Sequence, residues 1–184
     1  LAGELGVSQT PVRDALSRLS AEGAVSIRSK RRVRVPEMTR ERFEDLLRCR
    51  LLLEPEAAAL AAPFLTPADV TKLREIDATL AAAIKDGDAG TYMQANYDFH
   101  FTLYRAQPQK TLTQLIETLW LQFGPHMRML YDRVSHTELN DRHQTAIAAI
   151  EAKDATALRD AIALDISDGM GMLGRTDFAA NSAR

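Results

Sequence analysis

Several features are scarce or absent in this chain of 184 residues, and each shortage excludes a class of protein. The single cysteine, Cys49, rules out an intrachain disulfide and a multi-cysteine zinc site, and it fits a reducing cytoplasm. No apolar run approaches the roughly 18 uninterrupted residues of a membrane helix, so no membrane partner is expected. Aromatic residues make up only 6% of the chain, while alanine and leucine dominate. The composition therefore predicts packed helices, and a hydrophobic fraction of 46% excludes wholesale disorder.

The chain also has little net charge, but the formal value of −2 hides two regions of opposite sign. Residues 1–36 hold seven of the 23 basic residues and three of the 25 acidic ones, a net charge of +4. The remainder is therefore at −6. Such asymmetry indicates a basic binding module joined to an acidic one, and chance clustering of surface charge is the alternative.

The basic segment has the outline of a winged helix-turn-helix. Residues 1–5 have the pattern of a helix end closed by Gly6, so we expect a further N-terminal piece. Ser8 or Thr10 can cap the next helix, Gly23 ends it, and its apolar spacing predicts one buried stripe of Val12, Ala15, Leu16 and Leu19. Two short alternating segments then flank the basic run 28–32, which predicts a hairpin with Lys30 and Arg31 at its tip. This outline suits DNA, and a small α/β cap with a solvated charged loop is the alternative.

The first 23 residues, LAGELGVSQTPVRDALSRLSAEG, resemble the DNA-binding signature of the GntR family of bacterial transcription regulators. The resemblance implies that the second visible helix reads double-stranded operator DNA. Gln9 stands where the family often has arginine, so adenine recognition or a phosphate bond would replace a guanine contact. The residues expected to contact DNA are Ser8, Gln9, Thr10, Arg13 and Arg18, with Lys30 and Arg31 from the basic tip.

The acidic remainder predicts an antiparallel bundle of six helices, so that the chain as a whole is mainly α. Thr39 and Thr66 can cap helices, the run 86–88 ends one helix and begins another, and a kink is expected at Gly124–Pro125. The last two helices are predicted at about 137–152 and 154–173, and the residues after Gly174 as a frayed tail.

Three runs of this region, LLRCRLLLEPEAA at 46–58, NYDFH at 96–100 and HQTAIAAI at 143–150, resemble the FCD ligand-binding domain of FadR-type GntR regulators. Six helices favour the VanR-like branch of that group. The two resemblances imply a DNA-binding domain at 1–36, with its start missing, an FCD effector-binding and dimerisation domain at 37–174, and a tail at 175–184.

The FCD resemblance also implies a divalent metal site. It carries over to Asn96, His100, His143 and Asp165, the last of which replaces the usual histidine. Residues at i and i+4 share a helix face, so Asn96 and His100 can converge on one ion. These ligand types suit zinc, nickel or manganese. The alternative is that both histidines are hydrogen-bonded core residues beside a cavity.

The predicted function is a homodimeric, DNA-binding regulator, in the first place a repressor, whose bundle binds a small organic acid. Arg50 and Arg128 are candidates to neutralise the acid, and an ion pair is the alternative for each. A metal-dependent helical enzyme acting on a small carboxylic acid and a scaffold module are the competing functions. The enzyme lacks support because the sequence has no His-Glu-x-x-His motif, no phosphate-binding glycine loop and no nucleophile motif.

Overall fold

The computed structural model describes residues 1–29, 32–127 and 142–181. Lys30, Arg31 and Arg128, which carry predictions above, lie outside these ranges. We call residues 1–36 the head and residues 37–181 the bundle. The described residues form seven α-helices and one two-stranded sheet, which confirms the predicted mainly α fold.

The head contains helix α1 (Gln9–Ala21) and an antiparallel hairpin of β1 (Ser26–Ser29) and β2 (Arg32–Arg34). Gly6 and Gly23 both have positive φ angles, of 65° and 73°, and each closes the turn before it by paired backbone hydrogen bonds. The predicted helix stop at Gly23 and the basic hairpin are therefore confirmed, whereas residues 2–6 form a turn and not the helix end that was expected before Gly6.

The predicted buried stripe of α1 is wrong, because α1 contains no buried residue. Val12, Leu16 and Leu19 are only half-buried, and Ala15 is exposed. The preceding turn and a two-stranded hairpin are too small to cover one face of a 13-residue helix, although Ala24 directly after it is buried.

The bundle contains six helices within the described residues: α2 (Arg40–Ala61), α3 (Pro67–Asp86), α4 (Ala89–Tyr104), α5 (Lys110–Phe123), α6 (Arg142–Glu151) and α7 (Ala155–Asn181). Short 3-10 turns follow α2 at Ala62–Phe64 and α5 at Gly124–His126. Helices α2 and α7 pack along each other, α3 packs on α4, and α6 packs on α7. Because the turn between α3 and α4 is only two residues long, this pair is antiparallel.

Local signals place most of the helix boundaries. Thr66 and Asp69 form a capping box at the start of α3, and Gly87 ends that helix in the left-handed conformation, with φ of 74°. Asp88 then caps α4 by accepting a hydrogen bond from the backbone N–H of Thr91. Each of these devices acts within four residues, which is why the sequence predicted them.

Two boundaries differ from the predictions or refine them. Helix α5 ends at Phe123 and a 3-10 turn begins at Gly124, where a kink was expected. Helix α7 continues to Asn181 and passes through Gly174, because one glycine inside a helix costs only about 1 kcal/mol relative to alanine. The predicted start of the preceding helix at residue 137 lies outside the described residues.

The core of the bundle is apolar around a few buried polar side chains. Phe99, Leu103, Ile147 and Leu158 are completely buried. The buried polar set comprises Arg50, Glu54, Asp77, His100, Gln107, Thr113 and His143. Across residues 1–29, 32–127 and 142–181, no helix combines the length and the apolar character that a membrane crossing requires.

Candidate DNA-binding face and metal centre

The start of α1 forms an exposed polar surface on the head. Ser8, Gln9, Thr10 and Arg13, all predicted to contact DNA, are exposed there. Ser8 is the N-cap residue but makes no side-chain capping hydrogen bond, so the first turn keeps N–H donors for a phosphate. This placement suits a helix that enters a groove by its N-terminal end.

Arg18 lies apart from that surface, at the opposite end of α1. Its guanidinium is 3.9 Å from the Glu22 carboxylate, and the side chain lines a cleft between the head and the bundle. In the hairpin, Arg32 and Arg34 are exposed on β2 and extend the basic surface. The tip residues Lys30 and Arg31 lie outside the described residues.

Three of the four predicted metal ligands converge inside the bundle. His100 on α4, His143 on α6 and Asp165 on α7 offer ligand atoms that all lie within 4.8 Å of one another. His100 Nε2 is 3.2 Å from Asp165 Oδ2, and His143 Nε2 is 3.8 Å from Asp165 Oδ1. Both histidines are buried, and the Asp165 side chain keeps 24% of its exposure. Three helices thus bring one carboxylate between two imidazoles.

The other ring nitrogen of each histidine is held by a separate residue. His143 Nδ1 is 3.0 Å from Asp77 Oδ1 on α3, and His100 Nδ1 is 3.0 Å from the Tyr104 hydroxyl oxygen. Tyr104 donates its own proton to Glu54 Oε2 at 2.8 Å, so its oxygen accepts from His100. The Asp77 carboxylate can likewise only accept a hydrogen bond from His143. In the neutral form of both imidazoles, this pattern therefore places the proton on Nδ1.

That assignment leaves an electrostatic problem at the point where the side chains meet. With the protons on Nδ1, both Nε2 atoms turn lone pairs toward the Asp165 carboxylate. At these distances the three groups are held together only by a shared positive charge, either a proton on an Nε2 atom or a metal cation. Two imidazole nitrogens and a carboxylate, with both Nδ1 atoms held from outside, are a donor set that fits a divalent transition metal.

The Asp165 carboxyl is ionised in this environment. Burial by itself would raise its pKa, but the polar contacts with His100 and His143 and the charge of Arg50 lower the pKa to about 2. Asp77 behaves alike, because hydrogen bonds from His143 and Gln144 outweigh burial and lower its pKa. Both carboxylates therefore remain negative at neutral pH.

Asn96, the fourth predicted ligand, is half-buried in α4, four residues before His100. Residues at this spacing share a helix face, so Asn96 lies on the side of α4 that carries His100. Asn96 as a ligand remains a prediction.

Arg50, one of the two predicted effector-binding arginines, is buried and already paired. Its guanidinium forms a bidentate ion pair with Glu54 on the same helix, with Nη2 3.2 Å from Glu54 Oε2. Nη1 also donates to Met170 Sδ at 3.4 Å. Arg50 therefore makes the ion pair that the sequence left open as the alternative. Arg128 lies outside the described residues.

Sequence reasoning missed Asp77 and Tyr104, which orient the two histidines. Asp77 interrupts the apolar stripe of α3, between Leu73 and Leu80, and both leucines are buried. A carboxylate on a buried helix face needs a partner, and this signal was available in the sequence. Tyr104 lies four residues after His100, which again places both on one face.

Comparison with protein families matches two segments, one in the head and one in the bundle. Residues 1–35 match the bacterial regulatory proteins of the gntR family, and residues 45–168 match the FCD domain. The second segment contains His100, His143, Asp165 and all their described partners.

Individual relatives match over nearly the whole chain. The HTH-type transcriptional regulator McbR of Escherichia coli K12 is 33% identical over 176 residues, which cover 94% of this chain and 80% of that protein. The Uxu operon regulator of Haemophilus influenzae is 30% identical over 184 residues, covering 88% and 66%. The solved structure of E. coli McbR/YncC superposes with a TM-score of 0.86 at 32% identity, over 95% of this chain and 84% of that one.

Proposed function

Because the chain belongs to the GntR family of bacterial regulatory proteins and carries an FCD domain, we propose that it is a homodimeric repressor controlled by a small organic acid. Its relatives are DNA-binding transcription regulators and not enzymes, which removes the metal-dependent enzyme as a competing function. The acid binds in the bundle at a divalent metal, and the head releases or holds its operator in response.

The observation that carries the metal site is the convergence of both histidine Nε2 atoms on Asp165. His100 and His143 both turn Nε2 toward Asp165, while Tyr104 and Asp77 occupy the Nδ1 atoms. A single core histidine needs only one hydrogen-bond partner for each nitrogen, whereas here Nε2 atoms from two different helices are directed at one carboxylate. His100, His143 and Asp165 would hold the ion, and Asn96 is the candidate for a fourth position.

Such a site offers binding chemistry for a carboxylate. Zinc, nickel and manganese all accept imidazole and carboxylate ligands. When bound, the ion supplies positive charge and open coordination positions for the oxygens of an acid. Arg50 is held by Glu54, so it is not a free receptor for an anion.

DNA binding would use two heads in one dimer. Two copies of α1 presented by a two-fold axis match the two half-sites of a palindromic operator. We infer repression because a 25% identical relative from Paenarthrobacter nicotinovorans is named a probable D-xylose utilization operon transcriptional repressor.

The metal is tested through the single tryptophan of the chain. Trp120 lies beside His100, with ring centroids 5.2 Å apart, so nickel bound at His100 should quench its fluorescence. We expect saturable quenching at one nickel per chain, loss of this binding in His143→Ala, and affinity weakened about 10 to 100-fold in Asp77→Asn. His126→Ala serves as the control, since His126 is not part of the cluster.

Elemental analysis decides the result independently of fluorescence. Absence of stoichiometric metal after incubation with zinc, nickel or manganese contradicts the metal site, as does unchanged binding in His143→Ala.

The regulatory role is tested by gel shift of the full-length gene product on the promoter region beside its own gene, with a panel of carboxylic acids. The proposal fails if no DNA is bound, or if no acid changes the affinity of the metal-loaded protein.

A further inference from the structure

Arg42, in the first turn of α2, joins the head to the bundle. Its Nη2 donates to the carbonyl oxygen of Gly23 at 2.9 Å and to Oε1 of Gln122 at 3.1 Å. Gly23 closes the end of the recognition helix α1, while Gln122 belongs to α5. One guanidinium group therefore holds two segments that are about 100 residues apart in the chain.

The backbone of the head comes very close to α5 at this junction. Gly23 has a φ angle of 73°, and a Cβ atom added there would lie 3.1 Å from Cδ of Gln122. The left-handed conformation favours glycine here, and a Cβ atom would also press against the Gln122 side chain. Arg42 binds the backbone carbonyl of Gly23, so the hydrogen bond holds the turn that closes α1.

Beyond this corner, a cleft separates the head from the bundle. Its volume is about 1060 Å³, and the head contributes Leu19, Val25 and Val35 to its wall. The bundle contributes Met93 and Tyr97 of α4 together with Leu121 of α5, among others. Along this cleft the head is not packed tightly against the bundle, and we call the Arg42 bridge at its edge the pivot.

The other side of α5 contacts the polar chain that leads to the candidate metal site. The rings of Trp120 and Phe123 lie 4.6 Å and 5.3 Å from Cζ of Arg50. Arg50 pairs with Glu54, which accepts from Tyr104, and Tyr104 holds His100. Helix α5 thus contacts Arg50 through Trp120 and Phe123, and it contacts Arg42 through Gln122.

We propose that Arg42 is a positioning residue that couples the sensor site to the orientation of the DNA-binding head through Gln122 and α5. The proposal rests on the proposed function, because it assigns a route to the regulation stated there. A change at Arg50 moves Trp120 and Phe123, and α5 carries Gln122 with them. Since hydrogen bonds weaken steeply beyond about 3.5 Å, a displacement of under 1 Å is enough to break the Gln122–Arg42–Gly23 bridge.

The test uses amide hydrogen exchange, which requires neither an operator nor an effector. The amides of Glu22, Gly23, Ala24 and Val25 all donate to carbonyls at the end of α1, so they report on the pivot. Arg42→Met should speed their exchange about fivefold, the change expected when one hydrogen bond of ordinary strength is lost from a local opening equilibrium. Arg48→Met is the matched control, an exposed arginine on the same helix.

The coupling itself is measured by a double-mutant cycle with Phe123→Leu, which removes a ring from Arg50 while keeping an apolar side chain. We expect Phe123→Leu to speed exchange at residues 22–25 in the wild-type background and to add nothing in Arg42→Met. Urea unfolding of each variant separates this local effect from a loss of global stability. Should Phe123→Leu fold poorly, Gln122→Leu supplies the same comparison on the bridge.

Two results overturn the proposal. One is equal exchange at residues 22–25 in Arg42→Met and Arg48→Met, and the other is an effect of Phe123→Leu that is the same in both backgrounds. A second arm adds nickel alone, and a nickel-induced change at residues 22–25 should disappear in Arg42→Met. Failure of nickel to bind would contradict the metal site, while the double-mutant cycle would still decide the role of Arg42.

Discussion

The head and the bundle of this regulator solve opposite physical problems. The head is basic, and its helix α1 buries no residue, so its polar and charged side chains face outward. The bundle is acidic and encloses arginine, glutamate, aspartate and histidine side chains within an apolar core. The basic side chains described in the head are therefore exposed to solvent, whereas the buried Arg50 and Glu54 of the bundle balance each other.

Because of this difference, substitutions in the bundle and in the head should affect different properties of the protein. In the bundle, the buried groups Arg50, Glu54, Tyr104 and Asp77 are bonded to side chains on the same or another helix, so their loss disturbs the fold. In the head, the exposed residues at the start of α1 make few contacts with the rest of the chain, so their loss should disturb binding alone. Three experiments test this division, in decreasing order of expected effect.

The largest effect is expected for Glu54→Gln. Glu54 is completely buried and paired with Arg50, so the neutral amide leaves the guanidinium buried without a counter-charge. Breaking a buried pair on one side costs about 3 kcal/mol or more of unfolding free energy. Urea unfolding measures it, with Glu151→Gln as the control, because the exposed Arg74–Glu151 pair should contribute less than about 1 kcal/mol. Equal losses in the two variants would contradict the structural role of the buried pair.

The next effect compares equal truncations in the two regions. Leu73→Ala on α3 removes a completely buried side chain and should lower the unfolding free energy by about 2 to 5 kcal/mol. Leu16→Ala on α1 removes a half-buried one and should cost about 1 kcal/mol, since less apolar surface leaves water in the native state. Thermal unfolding followed by circular dichroism gives both values. A loss at Leu16 as large as that at Leu73 would show that α1 is covered in solution.

The smallest effect on stability, and the clearest on binding, is expected for Arg13→Ala. Arg13 is exposed on α1, so the unfolding free energy should change by less than about 0.5 kcal/mol. Operator binding should weaken by about 1 to 3 kcal/mol for a base contact, or lose about one unit of salt slope for a phosphate contact. Fluorescence anisotropy at several salt concentrations distinguishes the two. Unchanged affinity and unchanged slope would remove Arg13 from the DNA-binding surface.

Much of the fold was predictable because helix boundaries depend on neighbours in the chain. Thr66 with Asp69, Gly87 and Asp88 act within one turn of helix, and each lies where the pattern predicted it. The buried stripe of α1 was predicted by the same periodicity and is wrong, because periodicity shows which face can be buried but not whether enough surface exists to cover it. The end of α7 was placed too early for a related reason, since one glycine is a weak stop.

The candidate site was predicted in part. The resemblance to a known domain supplied His100, His143 and Asp165, and the structure brings them together from three helices. Asp77 and Tyr104 were missed, although both orient the histidines. For Arg50 the sequence leaves open an effector contact or an ion pair, because an i, i+4 spacing to Glu54 permits an ion pair but does not require one.

By itself, the sequence determined the helical content, the capped ends, the opposite charges of head and bundle, and the family. These follow from local backbone chemistry and from ordered motifs. Only the tertiary structure decided which nitrogen of each histidine faces Asp165, and that Arg42 ties the end of α1 to Gln122. Such contacts depend on the packing of helices far apart in the chain, and on sub-ångström distances that no local pattern specifies.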